Sequence, residues 1–224
     1  MNLQEALAVR PGITAVVGSG GKSTLLRELA HELADTGAKV ILATTTHFLP
    51  FEGIETLIDP ADGDVATTLN EHGVACVAGR AAEGQKLTAP AAGLEPYAGL
   101  ADYLLVEADG SKRLPLKAHA AWEPVVPAGA RRILVVGASG FGKPIDGVVH
   151  RPEIFCRLAG CDLNDAATPE LVAHAIAAES LANVVAVNQA ETPEALEAAR
   201  ELAAHLDQPV YAGSFQAHDL EPLN

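Results

Sequence analysis

A chain of 224 residues, 49% hydrophobic and 20% charged, has enough apolar material for a sizeable core and is not of the disordered class. Its formal net charge of −14 opposes broad contact with nucleic acid or an anionic membrane, because phosphate-rich surfaces demand clustered cations. No apolar run nears the roughly 18 residues that cross a bilayer, the first five residues do not resemble a secretory leader, and three cysteines form no disulfide framework. A reduced, cytoplasmic protein is therefore expected.

After an amphipathic lead from Leu3 to Val9 and a Pro11-Gly12 turn, Ile13 to Val17 predicts a short buried strand. From Ser23 the apolar period changes to three and four (Leu25, Leu26, Leu29, Ala30, Leu33), which predicts a helix stopped near Gly37. Lys39 to Thr44 is a second apolar strand, completing a βαβ unit and implying a parallel sheet. Further strands are expected at Val74–Ala78, Tyr103–Glu107, Arg132–Val136, Asn183–Val187 and Pro209–Ala212. Helices are expected at Val65–Glu71, Pro152–Leu158, Pro169–Glu179 and Pro193–His205. The last two open on Thr168-Pro169-Glu170 and Thr192-Pro193-Glu194, each with a capping hydroxyl, a proline in the first turn and an acid beside the helix dipole. This alternation predicts an α/β fold of the P-loop NTPase-like, doubly wound kind, with a mainly parallel sheet and helices on both faces. One domain is expected over residues 1–224, with room for a small insertion around 79–99.

Two stretches approach the phosphate-loop pattern G-x-x-x-x-G-K-[ST]. In the first, Val16 to Ser23, valine replaces the leading glycine but Gly18, Ser19, Gly20, Gly21, Lys22 and Ser23 remain, followed by Thr24 and a helix. In the second, Gly137 to Pro144, every glycine and Lys143 match but the final residue is proline. Proline offers neither the hydroxyl a Mg²⁺ ion needs nor an N–H for phosphate, whereas Ser23 offers both at a helix start. The first stretch is the expected nucleotide site, with Lys22 on the β- and γ-phosphates and Ser23 on the metal. The second reads as a structural or substrate-side loop, and the residues after Pro144 carry no helical period.

Tyr103 to Val106 runs into Glu107, and Asp109 follows two residues later, on the same side of an extended chain. Glu107 is the expected partner of Ser23 on Mg²⁺, and Asp109 is expected to orient water or a second ligand. Eight of the 15 lysines and arginines fall between Lys112 and Arg157, so this acidic chain is locally basic. The strip Lys112, Arg113, Lys117 and His119 lies next to the acids and suits an anionic substrate, with Lys112 counted among the catalytic groups alongside Lys22 and Asp109. Thr45, Thr46 and His47 close the second strand at the edge where such sheets bind ligands. Lys143 and Arg151 are further anion contacts by the same reasoning. Cys156 and Cys161 lack metal-ligand spacing and are expected as buried thiols. Asn188-Gln189-Ala190-Glu191 is a poor copy of a guanine-reading motif, leaving Asn188 as a candidate contact to the base of ATP or GTP.

Taken together, Val17 to Thr24, Thr44-Thr45-Thr46-His47, Val106-Glu107-Ala108-Asp109-Gly110-Ser111-Lys112, Pro115 to His119 and Val149 to Glu153 resemble the selenium-dependent hydroxylase accessory protein family. That resemblance runs from about Val16 to Glu191. It implies a P-loop NTPase-like factor in the maturation of molybdenum hydroxylases carrying labile selenium or sulfur, whose partner is such a hydroxylase or its cofactor. The loop without its leading glycine is also similar to that of peptidoglycan-precursor amide ligases. Three functions therefore stand open: an NTP-hydrolysing maturation factor, a kinase or ligase that activates a small anion, and a nucleotide-gated scaffold without turnover.

Overall fold

In the computed structural model, residues 1–80 and 86–224 are described. The first third of the chain holds α1 (Leu3–Ala6), β1 (Gly12–Gly18), α2 (Lys22–Asp35), β2 (Val40–Thr44), β3 (His47–Phe48), β4 (Thr56–Ile58) and α3 (Asp62–His72). Then come β5 (Val74–Arg80), β6 (Leu87–Thr88), β7 (Tyr103–Glu107), β8 (Leu116–Lys117) and β9 (Arg131–Gly137). The remainder is α4 (Ile145–Val148), β10 (Val149–His150), α5 (Pro152–Ala159), α6 (Pro169–Glu179), β11 (Val184–Asn188), α7 (Pro193–Ala203), β12 (Val210–Ser214) and β13 (Asp219–Pro222).

The main sheet runs β13-β12-β11-β9-β1-β7-β2-β5-β6-β3, with β4 also paired to β5. All pairs from β12 through β5 are parallel, and antiparallel pairing appears in β12 with β13, β5 with β6 and β3 with β6. This is the expected doubly wound α/β architecture. Its faces follow the two-residue period of β1: Val16 packs into the core under α1 and α2, while Ala15 and Val17 pack into the core under α5, α6 and α7. A third cluster gathers Ile41, Ala43, Val65, Leu69, Leu104 and Val106 beneath α3. Leu25, Leu26, Leu29 and Leu33 of α2 are fully buried. Burying each stabilises the fold by about 1.5–3 kcal/mol. Both predicted threonine caps form, Thr168 Oγ1 accepting from Leu171 N (3.3 Å) and Thr192 Oγ1 from Ala195 N (3.2 Å).

Several local expectations shift. Helix α3 begins three residues before Val65, because Asp64 accepts from Ala61 N (3.2 Å) and holds the first turn. Ile145 to Val148 makes one helical turn despite its lack of period, since Pro144 is bridged to Ala166 and Ile145 N donates to Asp165 O. Cys156 in α5 and Cys161 just beyond it are only partly buried, at the margin of the second core, while Cys76 in β5 is buried. Of the stretch 79–99, residues 81–85 lie outside the described residues. Its described part adds β6 to the sheet and buries Tyr97 in the third cluster.

One consequence of the strand order governs function. The chain leaves β1 for β2, returns to fill the gap with β7, then crosses to the other side of β1 with β9. The carboxyl ends of β1, β7 and β9 therefore meet where the winding reverses, the place where open α/β sheets hold ligands.

Candidate functional site

At that meeting point the loop from Gly18 to Gly21 joins β1 to the first turn of α2. Gly20 has φ +96°, and a Cβ there would stand 2.3 Å from Gly137 N and 2.9 Å from Pro115 O, so neither the backbone angle nor the space admits a side chain. The loop is braced on three sides. Ser19 N donates to Val135 O of β9 (2.9 Å), and Ser19 Oγ donates to Leu114 O. Asn188, at the end of β11, donates to Gly20 O (2.9 Å) and accepts from Phe215 N (3.1 Å). The amide of Asn188 is thus committed to the loop backbone, which places it as a prop under the loop. The Gly137 to Lys143 stretch now has a physical explanation: Gly137 must admit Gly20 and Pro115, and Gly140 must admit Leu116.

Glu107 and Asp109 part company. Glu107, the last residue of β7, faces the mouth of the loop and accepts from Ser23 Oγ at 2.9 Å. Asp109 swings beneath the loop and is fully buried. Its Oδ2 accepts from Gly18 N (2.8 Å) and meets His119 Nε2 (2.6 Å), and Lys117 Nζ lies 3.4 Å away. Its Oδ1 is 2.9 Å from Lys22 Nζ, an ion pair off the line of a hydrogen bond. The Lys22 ammonium also donates to Gly18 O (2.7 Å). Asp109 does not reach the cavity, so the expected water-orienting role is corrected to that of a charge centre under the loop.

The basic strip is likewise divided. Lys117, whose side chain is fully buried, donates to Gly110 O (2.6 Å) and pairs with Glu123 (3.1 Å), so it leaves the substrate set. Lys112 and Arg113 take left-handed backbone angles (φ +51° and +62°) and line the cavity instead. Arg151 also lines it, with Nε 2.6 Å from Glu123 Oε1 and the guanidinium 5.2 Å above the ring of Trp122. Thr24, Thr46 and His47 border the cavity; Thr45 instead gives its hydroxyl to Val125 O (2.7 Å). Lys143 is exposed and does not line the cavity, because β9 ends in a turn that carries it away. His119 links Asp109 to Glu179, which accepts both His119 N (2.6 Å) and the ring Nδ1 (2.8 Å). Glu123, Glu179 and Trp122 escape any reading of local pattern. Glu179 stands 60 positions from its partner, and the exposed Trp122 is the one member whose rarity in the chain could have drawn notice.

The cavity has a volume of about 1140 Å³. Among the described residues, five cations line it (Lys22, Lys86, Lys112, Arg113, Arg151) against the two carboxylates Glu107 and Glu123, a formal +3 in a protein of −14. Burial pushes the Glu107 carboxyl up, a rise that Lys22 and the Ser23 hydroxyl only partly offset. Burial also works on Asp109, yet the His119 bond and the Lys22 and Lys117 charges hold it well below the usual carboxylate range. His119 is depressed by burial but raised overall by its bonds to Asp109 and Glu179. Burial and the Lys117 and Arg151 charges lower His150.

A magnesium ion is implied by this loop type, and the residues fit it. Ser23 supplies a hydroxyl and Glu107 a buried carboxylate that has no cation of its own within ion-pair distance among the described residues. Such an ion binds through one or two protein oxygens, the remainder coming from phosphate and water.

One solved structure shares the fold at a TM-score of 0.50. FtsY from Mycoplasma mycoides superposes with a TM-score of 0.50 at 14% identity, covering 95% of this chain and 63% of that one. FtsY from Elizabethkingia anophelis in complex with GDP gives 0.48 at 17% identity, over 96% of this chain and 61% of that one. The protein named "Uncharacterized protein YqeC" from Escherichia coli (strain K12) is 33% identical over 158 residues. That match takes in 67% of this chain and 62% of the relative's length. The family model described as "YqeC protein" matches residues 14–153, more than half of the chain and every strand from β2 to β9 with most of β1. By that match, the chain belongs to the YqeC protein family.

Proposed function

We propose that the protein binds a Mg²⁺-complexed nucleoside triphosphate, ATP or GTP, in the cavity above the Gly18–Ser23 loop and hydrolyses it. The reading rests on one observation above all: Ser23 Oγ and Glu107 Oε2, 2.9 Å apart, stand at the start of α2 beneath a cation-lined cavity. Bound there, the ion would neutralise phosphate charge and polarise the γ-phosphoryl group. The protein's own share is positional. The loop amides and the N-terminus of α2 receive the phosphates, and Asp109 holds the Lys22 side chain within reach of them. Lys22 then exchanges Gly18 O for phosphate oxygen. Asp109 holds the Gly18 N–H and so fixes the entry to the loop.

We further propose that this activity serves the maturation of a selenium-dependent molybdenum hydroxylase, the partner being the hydroxylase or its cofactor, in a reducing cytoplasm. The motif resemblance supports the maturation role, and three free cysteines suit a reducing compartment. Strands drawn from Gly12 through to Pro222 support reading the whole chain as one domain. A second reading, a kinase or ligase acting on a small anion, is favoured by the cations Lys112, Arg113 and Arg151 on the same cavity.

The test is a thermal-shift panel of ATP, GTP and CTP with and without Mg²⁺, run on the wild type and Lys22→Ala, followed by phosphate-release assays. A Mg²⁺-dependent shift that Lys22→Ala abolishes, with phosphate released without any acceptor, is expected. An unchanged shift in Lys22→Ala would remove the loop from the account, and release that requires an added acid would transfer it to the second reading.

A further inference from the structure

The Gly18–Ser23 loop occupies one side of this cavity, whereas the ends of β2 and β7 form another. The second side is built differently. Lys112 and Arg113 make no ion pair or hydrogen bond through their side chains among the described residues, in contrast to Lys22 and Lys117. Both adopt left-handed backbone angles, as do Arg151 (φ +69°) and Gln189 (φ +64°). Among the described residues, four of the eight non-glycine positions with positive φ therefore line this one cavity, three of them cations. Such backbone is held only where the surroundings over-determine it, and it gathers at ligand-gripping positions. Arg151 is fixed through Nε by Glu123, which leaves its terminal nitrogens without a protein partner among the described residues.

Trp122 lines the same cavity and is 72% exposed. Burial of so large an apolar ring is normally favoured. Its partners are the Arg151 guanidinium, 5.2 Å from the ring centre, and the cavity itself. A volume of about 1140 Å³ exceeds that of the usual small-molecule pocket, roughly 300–1,000 Å³, which leaves space beside one ligand.

We infer that the part of the cavity beyond the phosphate loop is a second binding site, for a flat, anionic small molecule that stacks on Trp122 and pairs with Lys112, Arg113 and Arg151. This assignment rests on the nucleotide reading, since the bound nucleotide fills the loop side and leaves the second molecule the other. The unpaired cations supply attraction, and the indole with its guanidinium supplies a preference for planar rings.

Two sulfonates of equal charge separate these contributions: naphthalene-1-sulfonate, which is flat, and cyclohexanesulfonate, which is not. Calorimetric titration is done on the full chain saturated with Mg²⁺ and whichever nucleotide gives the larger thermal shift, so that the loop is blocked. The flat probe is expected to bind at least about fivefold tighter than the puckered one. Trp122→Ala erases that ratio and Trp122→Phe keeps it, while the double variant Lys112→Ala, Arg113→Ala weakens both probes about tenfold or more. Equal binding of the two probes, or no binding to protein that still shifts with Mg²⁺ and nucleotide, overturns this inference and leaves the nucleotide reading intact. Absence of any nucleotide shift removes both.

Discussion

Replacing Asp109 by asparagine probes the charge centre under the loop with almost no change of shape. Asp109 Oδ2 takes two donors, Gly18 N at 2.8 Å and His119 Nε2 at 2.6 Å, so the amide oxygen must occupy that position. The amide NH₂ then lies where Oδ1 stood, 2.9 Å from the Lys22 ammonium, donor facing donor. Lys117, with its side chain sealed from solvent, retains Glu123 and Gly110 O but loses its second carboxylate. Removing one member of a buried ionic group costs about 3–5 kcal/mol, because the opposite charges remain without compensation. For a chain of this size each kcal/mol moves the melting temperature by about 2–4 °C, so Asp109→Asn should melt about 6–20 °C below the wild type. Thermal unfolding followed by circular dichroism at neutral pH reads this directly. A fall of less than about 2 °C would refute the claim that the buried ionic group is held together by Asp109.

Ser23→Ala and Glu107→Gln should each remove most of the Mg²⁺-dependent part of the nucleotide thermal shift, while the shift without Mg²⁺ remains; retention of full Mg²⁺ dependence in both would displace the metal from this pair. Because its bonds to Asp109 and Glu179 raise His119 above its unfolded value near 6.5, its contribution is complete below that pH. That contribution is lost as the pH climbs through the raised, folded value. Urea unfolding from pH 6 to 9 should therefore show a decline on the alkaline side that His119→Gln flattens, and an equally steep decline in the variant would point to other groups. Burial pushes the Cys76 thiol up to about 12, so native protein at pH 8 should resist a thiol reagent at Cys76 and yield it only on unfolding; rapid labelling of Cys76 in the native state would contradict the packing of β5.

The glycine-rich turn between β1 and α2, the α2 stripe and the threonine caps are legible in the sequence because each is decided within a few residues. So is the strand that carries Glu107 to the loop. The division of labour beyond it is not, since the two-residue rule that aligns Glu107 with Asp109 applies only while the chain stays extended. The strand ends at Glu107, and the chain then turns Asp109 under Gly18. Lys112, Arg113 and Lys117 look like one basic strip, but two successive left-handed residues send the first pair to the cavity and the last into the core. Lys143 sits in a glycine pattern set by packing: Gly137 and Gly140 are small because Gly20, Pro115 and Leu116 press on them. Glu179 reaches His119 only through the tertiary fold, and no local signal joins a residue on α6 to one beyond β8.

The segment from Leu114 to Pro115 is tied to the loop where Ser19 Oγ donates to Leu114 O, and to the end of β9 where Gly137 N donates to Pro115 O (2.9 Å). It is continuous with Lys112 and Arg113, so the arm that carries these cations and the cradle for phosphate share one stretch of backbone. A displacement of that arm would therefore be felt at Ser19 through the Leu114 carbonyl. Any ligand held by that arm should change nucleotide affinity by some factor, and nucleotide must then change the ligand's affinity by the same factor.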